Sequence, residues 1–515
     1  MNSIKNHMKR AILVSVMMLF MMVLSKNGNI GLFSSITVSA AELTQNGWNY
    51  TVTEGKATIT GYTGSSQNIV TPTTLGNYPV VKIDQIVVSN TPAYTNGLNS
   101  VTISEGVTSI GTWALSNVKG MTTVQLPSSL TYISGYAFAD NESLTSISIP
   151  SSVNTIGGAA FRQCYNLTQV TISGGATLEG NAFCYCTKLS SVTIAGSAVL
   201  SRNAFAHCSS LTTVRINGKA TVKTDAFLDC TSLQKLYVNT SSTFDTTACE
   251  GCTKLQYING YQVVTLVSKG NGIYEPKLNE TIKSFIYNSG LVLTNNVGFM
   301  NTYMTWEPKY VVSQVVTSQM TTMEKVKALH DWVCNKVDYD HDNPGAKKNH
   351  IDASIFLFDT SVCDGYSRGY ALLLQAAGIE AYYVENATHV WNIVKVGNLY
   401  FHVDTTWDDG GENPIKYDYF LKSDSEMKAL GGAHATWVLD KPSHRFNYVQ
   451  TTLPQCKYIM GDVNMDGTVN QSDVDLLRKY ISKSVTLSSD ALVLADCSFD
   501  GKVDLTDLSK ISLKI

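Results

Sequence analysis

A repeat of about 22 residues runs through the first half of the chain and limits what that half can fold into. The pair Ala-Phe recurs at 137–138, 160–161, 182–183, 204–205 and 226–227, so successive phenylalanines lie 23, 22, 22 and 22 residues apart. Each unit then reads Leu-x-x-Val/Ile-x-Ile/Val, as in Leu144-Thr145-Ser146-Ile147-Ser148-Ile149 and Leu189-Ser190-Ser191-Val192-Thr193-Ile194. Alternating apolar residues after the leucine make a short strand with one buried face. One such strand cannot bury its face alone, but stacked copies can, so the pattern predicts a solenoid. Cys164, Cys186, Cys208, Cys230 and Cys252 each fall three residues after the phenylalanine position of their unit. An odd number of equivalent thiols makes no clean disulfide set. They are expected to form a buried ladder of small side chains, one per turn, and not a metal or redox array.

The chain has 515 residues, room for several domains. A net charge of −3 gives no bulk electrostatic argument for nucleic acid or for an anionic membrane. Lys5, Lys9 and Arg10 precede the apolar run Ala11 to Leu24, and Val38-Ser39-Ala40 is a small-residue cleavage pattern. Residues 1–40 therefore read as an export signal. The run is too short to span a bilayer comfortably, so a secreted, extracellular protein without a membrane span after cleavage is expected.

The repeats resemble the BspA-like class of bacterial surface-antigen leucine-rich repeats, with 45–95 as an irregular, strand-rich cap. The expected limits are 41–261 for the capped solenoid, 262–450 for a second domain, 451–457 for a linker and 458–515 for a C-terminal module. Residues 262–320 read as a strand-rich connector. Thr321 and Glu324 stand at capping-box spacing before a helix over Met323–Val337.

The C-terminal module carries two twelve-residue loops. In the first, Asp462, Asn464, Asp466, Asn470 and Asp473 offer side-chain oxygens, Gly467 makes the turn and Thr468 offers a backbone carbonyl. In the second, Asp496, Ser498, Asp500, Asp504 and Asp507 stand at the same positions, with Gly501 at the turn and Lys502 at the carbonyl position. These are hard-oxygen arrays suited to Ca²⁺. Two loops in register, each followed by a helix pattern and lacking an entering helix, resemble a type I dockerin. The resemblance implies two calcium ions, a cohesin module of a scaffolding protein as partner, and a place in a cellulosome. It also implies cohesin contacts at Gln471, Ser472, Leu505 and Thr506, then Leu477, Arg478 and Lys479. The Ser-Thr pair usual at the first two contact positions is absent from both loops.

Between solenoid and loops lies the candidate chemistry. Cys363 directly precedes a helix pattern in which Tyr366, Tyr370, Leu373, Leu374 and Ala377 share a face and Gly378 marks the end. Helix N-termini favour thiolates, and their free N–H groups can receive an oxyanion. His389 to Val396 and Leu399 to Asp404 read as strands around a Gly397-Asn398 turn. A two-residue turn pairs Val396 with Leu399 and, counting outward, Trp391 with Asp404. His389 then lies diagonally across from Asp404 on one face, within side-chain reach; a one-residue slip would undo this. Cys363, His389 and Asp404 can thus serve as nucleophile, base and orienter. The bland alternative for each is ordinary packing, and Cys334 and the remaining histidines keep that reading.

Val362-Cys363-Asp364-Gly365-Tyr366-Ser367, His389-Val390-Trp391-Asn392 and Val403-Asp404-Thr405-Thr406-Trp407, with His330-Asp331-Trp332 upstream, resemble a bacterial transglutaminase-like domain over roughly 300–410. The resemblance implies an α+β fold with a papain-like core and assigns the triad to Cys363, His389 and Asp404. No glutamine shortly before Cys363 supplies the second oxyanion donor of papain-like enzymes; Trp332 and the Cys363 backbone are the candidates. The expected protein is multidomain: a leucine-rich-repeat solenoid, an α+β transglutaminase-like domain and a small α-helical calcium-binding dockerin. The expected activity is cysteine-dependent acyl transfer on a protein or peptide, with hydrolysis favoured over cross-linking. The repeats would bind a protein, cell-surface or plant-wall ligand. The competing expectation is a non-catalytic adhesion subunit of the cellulosome. A polysaccharide hydrolase is disfavoured, because 263–450 offers no clear pair of flanking carboxylates.

Overall fold

The computed structural model describes residues 41–87, 97–118, 120–293, 296–411, 413–437 and 452–515. The expected export signal at 1–40 lies outside the described residues. No helix among the described residues is long and apolar enough to cross a membrane.

The repeats stack as expected. Ser146–Ile149, Gln169–Ile172, Ser191–Ile194 and Thr213–Ile216 pair in parallel, with Val170 opposite Val192 and Val192 opposite Val214. A second parallel sheet, through Ala176–Leu178, Ala198–Leu200 and Ala220–Val222, forms the other wall. Between them Phe138, Phe161, Phe183, Phe205 and Phe227 stack with centroids 4.8–5.7 Å apart and planes within 8°. All five are fully buried, and burying each contributes about 2 kcal/mol. The cysteine ladder is also as expected. Each Sγ donates to the phenylalanine carbonyl of the preceding coil, Cys186 to Phe161 and Cys208 to Phe183 at 3.2 Å. Burial pushes these thiols up, Cys164 to about 12. Residues 43–83 form the strand-rich cap, whose outer strands Leu43–Gln45, Trp48–Thr53 and Lys56–Tyr62 pair antiparallel.

The connector at 262–320 differs from expectation. Among its described residues the extended part ends with the hairpin Val264–Gly270 with Ile273–Leu278; helices Glu280–Ser289 and Gly298–Val315 follow. The physical reason is the open end of the solenoid. Ile282, Phe285 and Ile286 of the first helix and Phe299, Met300 and Tyr303 of the second are buried in a core continuous with the last coils. The Gly298 amide donates to the Cys252 carbonyl at 3.1 Å.

The following domain is α+β. Helix Thr322–Lys336 starts with the Thr321–Glu324 capping box. It packs with helix Cys363–Ala376 against the antiparallel sheet Ala381–Glu385, Val390–Val396, Leu399–Val403 and Phe420–Lys422. The stretch expected as a linker does not hang free where it is described: Leu453 and Cys456 are buried against Trp391 and Met427. In the C-terminal module, helices Gln471–Ile481 and Leu505–Ser512 pack through Val474, Leu477 and Ile511. Contrary to expectation, a short helix, Ser489–Ala495, enters the second loop. The module rests on the α+β domain. Phe499 lies 5.0 Å from the Phe420 ring, and Asn398 donates to Asp490 at 3.1 Å.

Candidate active site

Cys363 is the first residue of its helix. Val362 before it is extended and makes no side-chain cap, so no N-cap side chain occupies the start of the helix. Of the eleven cysteines, Cys363 alone is partly exposed and the other ten are buried. Three contacts fix its place. Tyr339 pairs with Ser361 in a short parallel ladder, which brings Tyr339 beside the helix start. A Cβ on Gly365 would meet Ser361 Oγ and the Asn349 carbonyl, so glycine lets the helix sit directly on that segment. Asp364, buried in the first turn, accepts from Arg368 Nε at 2.5 Å and Tyr383 Oη at 2.7 Å.

The hairpin has the expected register. Val396 faces Leu399, and Asn392 faces Val403. It is tied to the Cys363 helix by Ser367 Oγ donating to the Val390 carbonyl at 3.0 Å and Asn392 Nδ2 donating to the Ser367 carbonyl at 3.1 Å. His389 precedes the first strand and Asp404 follows the second. Asp404 caps helix Thr405–Asp408: its Oδ1 accepts from the Thr406 and Trp407 amides at 3.0 and 3.3 Å. Its Oδ2 meets His389 Nε2 at 2.5 Å. Burial opposes a charged imidazole, but Asp404 and then Cys363 outweigh it and push His389 up to about 9. Burial likewise opposes the Asp404 carboxylate, and His389 and His434 bring it down to about 2. A cleft of about 630 Å³ opens here, lined by Tyr339, His341, His389, Trp407, Asp409 and Gly410 among others. Trp332 packs toward Phe356, ring to ring at 6.0 Å. Tyr339 is the better-placed hydroxyl: it lines the cleft, and burial and then the charge of Cys363 keep its phenol protonated.

A family model described as BspA type leucine rich repeat region matches six copies over residues 87–212 and 175–271. A transglutaminase-like superfamily model matches 309–405, and a dockerin type I domain model matches 460–515. The chain joins BspA-type repeats, a transglutaminase-like domain and a type I dockerin. Among curated relatives, kyphoscoliosis peptidase of Mus musculus is 23% identical over 118 residues, 19% of this chain and 18% of that protein. The chain thus spans under a fifth of that relative's length. A leucine-rich repeat protein of T. pallidum is 23% identical, with 35% of this chain and 86% of that one covered and a TM-score of 0.28. A structure described as a TGase is 19% identical, covering 44% and 63%, with a TM-score of 0.22.

Within the transglutaminase-like domain a second histidine cluster lies under the first. His330 is buried, with Nδ1 2.9 Å from Asp331 Oδ1 and Nε2 3.2 Å from Asp408 Oδ2. Burial opposes its charge, yet Cys334 and the two carboxylates raise it well above the ordinary histidine range. Cys334 Sγ lies 3.8 Å from His330 Nε2 and donates to the Thr405 carbonyl at 3.3 Å. The bland reading of Cys334 fits, since burial pushes this thiol up. His402 is likewise structural: Trp391 Nε1 donates to its Nδ1 at 2.9 Å, and its Nε2 meets Asp424 Oδ1 at 2.9 Å. Among the described residues two groups bring possible metal ligands together, His389 with Asp404 and His434, and His402 with Asp424 and Cys456. In both, the histidine nitrogens already touch carboxylate oxygens at 2.5–2.9 Å. Two ligands about 2.0–2.2 Å from one tetrahedral ion stand farther apart than that, so hydrogen bonding accounts for both groups.

In the dockerin, Asp462, Asp473, Asp496 and Asp507 are buried. Asp462 accepts from the Asp466 and Gly467 amides, and Asp473 from the Asn464 and Asn470 amides. The second loop repeats this with Asp496 and Asp507. Burial pushes Asp496 up to about 6, and Asp507 and Asp500 add to it. Crowded carboxylates in loops whose candidate ligand atoms are all oxygens fit a hard dication, as expected of dockerins. Thr468 and Lys502 can contribute only backbone carbonyls usefully, and the Lys502 side chain is exposed. Of the expected cohesin contacts, Gln471, Ser472, Leu505, Thr506, Arg478 and Lys479 are exposed. Leu477 is buried between the two helices and is removed from that set.

His434 and the second cluster were not legible in sequence. His434 follows Gly431 and Gly432, both at positive φ, in a turn that carries no periodic signal.

Proposed function

We propose that the protein is a cysteine-dependent acyl-transfer enzyme, a peptidase before a cross-linking transglutaminase. The observation that carries this reading is the buried His389–Asp404 contact of 2.5 Å, set beside the one partly exposed cysteine at a helix N-terminus. Cys363 gives its proton to His389, and its Sγ attacks a peptide or glutamine-side-chain carbonyl carbon. The C–N bond breaks, and His389, which holds a proton up to about pH 9, gives it to the departing amine. Asp404 fixes the ring so that Nδ1 turns to Cys363. The helix amides, with the Tyr339 hydroxyl, stand where an oxyanion needs donors. Water then cleaves the thioester and restores the thiol; an amine in its place gives a cross-link. The name of the mouse relative, a peptidase, supports hydrolysis.

The dockerin binds a cohesin of a scaffolding protein with two calcium ions. Asp462, Asn464, Asp466, Asn470 and Asp473 would hold one, with the Thr468 carbonyl. Asp496, Ser498, Asp500, Asp504 and Asp507 would hold the other, with the Lys502 carbonyl. The protein thereby sits outside the cell in a cellulosome-type assembly, and the repeats bind a protein or surface ligand. The deciding test is incubation of wild type and Cys363→Ala with a mixed peptide library containing lysine and glutamine. Peptides cleaved by wild type alone support the peptidase. Cross-links by wild type alone select the transglutaminase, and no difference between the two proteins leaves the adhesion subunit.

A further inference from the structure

We infer that His434 is a positioning residue of the active site, a fourth member that holds Asp404 for His389. This rests on the Cys363–His389–Asp404 reading above. His434 Nε2 lies 2.7 Å from Asp404 Oδ2, the same oxygen that meets His389 Nε2 at 2.5 Å. Both His434 and Asp404 are fully buried. The carboxylate is therefore held on both sides: two backbone amides on Oδ1 and two imidazoles on Oδ2. A carboxylate with one lone-pair direction free can rotate about its Cβ–Cγ bond and carry the His389 ring with it. With four donors it cannot turn without losing bonds in a buried, low-dielectric place, where each lost bond is expensive.

The His434 ring is itself fixed. It meets His389 edge-on at 5.2 Å and 81° and packs against Trp391, Trp407 and Tyr419 at 5.0, 4.8 and 4.7 Å. Its Nδ1 is buried and has no partner among the described residues. A lone pair is cheaper than an N–H in that position, so the ring is carried with its proton on Nε2, aimed at Asp404. The aromatic walls would serve any flat residue. The hydrogen bond needs a donor at this one atom.

The test uses the full chain with His434→Leu and His434→Gln. Glutamine places an amide N–H near the Nε2 position; leucine keeps bulk and removes the donor. Two readouts are taken on each: the downfield imidazole N–H proton of His389 by NMR, and the rate of Cys363 alkylation by iodoacetamide at neutral pH. The expected result is a shifted or broadened His389 proton in His434→Leu and alkylation slowed about tenfold, with both restored to within about threefold in His434→Gln. A folded His434→Leu protein with the wild-type proton signal overturns the inference, and so does a Gln variant as impaired as Leu. If leucine prevents folding, His434→Met, which also keeps bulk without a donor, takes its place, and a wild-type proton signal in that variant overturns the inference in the same way. A wild-type Cys363 that reacts no faster than free cysteine defeats the catalytic reading instead. The NMR comparison still judges the contact between His434 and Asp404 in that case.

Discussion

Helix Thr405–Asp408 carries a Cys-His-Asp group at each end, and the two behave differently. At its start, Asp404 meets His389 near Cys363. At its end, Asp408 meets His330, which lies 3.8 Å from Cys334. The residue types are the same, but the two carboxylates part in opposite directions: against burial, His389 and His434 hold Asp404 down, and burial pushes Asp408 up. Cys334, however, sits inside helix Thr322–Lys336, buried, with its proton given to the Thr405 carbonyl. Cys363 begins a helix, is partly exposed and interacts with His389, which lines a cleft. On the proposed reading, access and backbone setting of the thiol separate a triad from a packed group of the same residue types. The buried group serves as a strut: an imidazolium clamped between two carboxylates holds the Asp404-bearing helix to the helix beneath.

The largest contrast is expected at the thiols. Cys363→Ala should lower acyl transfer by about 10⁴-fold or more, whereas Cys334→Ala should leave it within about threefold, both measured as initial rates. Equal losses would erase the distinction drawn here. The carboxylates should separate next. Asp404→Asn should cost about 10³–10⁴ in kcat and, by turning an amide N–H toward donors that now meet a carboxylate, about 3 kcal/mol or more of stability. Asp408→Asn leaves a buried charge short of one partner and should cost about 3 kcal/mol in chemical denaturation, with turnover of the folded protein retained.

A third contrast is in pH. His389 is raised from 6.5 to about 9, so its contribution to stability is complete below about 6.5 and is lost as pH rises through about 9. Acyl transfer should fall over the same alkaline window, because the proton donor to the leaving group disappears. Asp404 has the opposite sign: its contribution is present above 3.8 and is lost as pH falls toward about 2. A rate profile still rising at pH 10 would be incompatible with His389 as the donor. The smallest effect concerns the dockerin. Phe499, inside the second loop, packs on Phe420, whose ring lies 4.9 Å from His330. Chelation should abolish cohesin binding and lower the domain's melting temperature by only a few degrees, and Phe499→Ala should cost about 1–2 kcal/mol.

What the sequence allowed was local or periodic. The stacked coils follow from a repeated spacing, the start of the Cys363 helix from a helical face, and the His389–Asp404 contact from counting outward from a two-residue turn. The remainder depends on partners distant in the chain. Helix 280–289 has an apolar face of its own and helix 298–315 scarcely any, with Pro308 inside it; what both bury is the end of a solenoid that lies before them. His434 is brought back to Asp404 across 30 residues by a turn of two glycines. Leu477 was misread because its helix offers one face to a neighbouring helix and another to solvent, and loop positions alone do not say which.

The phenylalanine stack has a consequence for how such a gene can change. The inner coils pair with the coil before and the coil after, and the pairing offset from Val170 to Val192 to Val214 is the same at each step. A recombination event that drops one repeat's worth of coding sequence therefore leaves the flanking strands able to pair in their old register, ring on ring and thiol on carbonyl. The distance between the amino-terminal cap and the catalytic domain can thus lengthen or shorten in lineages by whole coils, with the chemistry at the far end untouched.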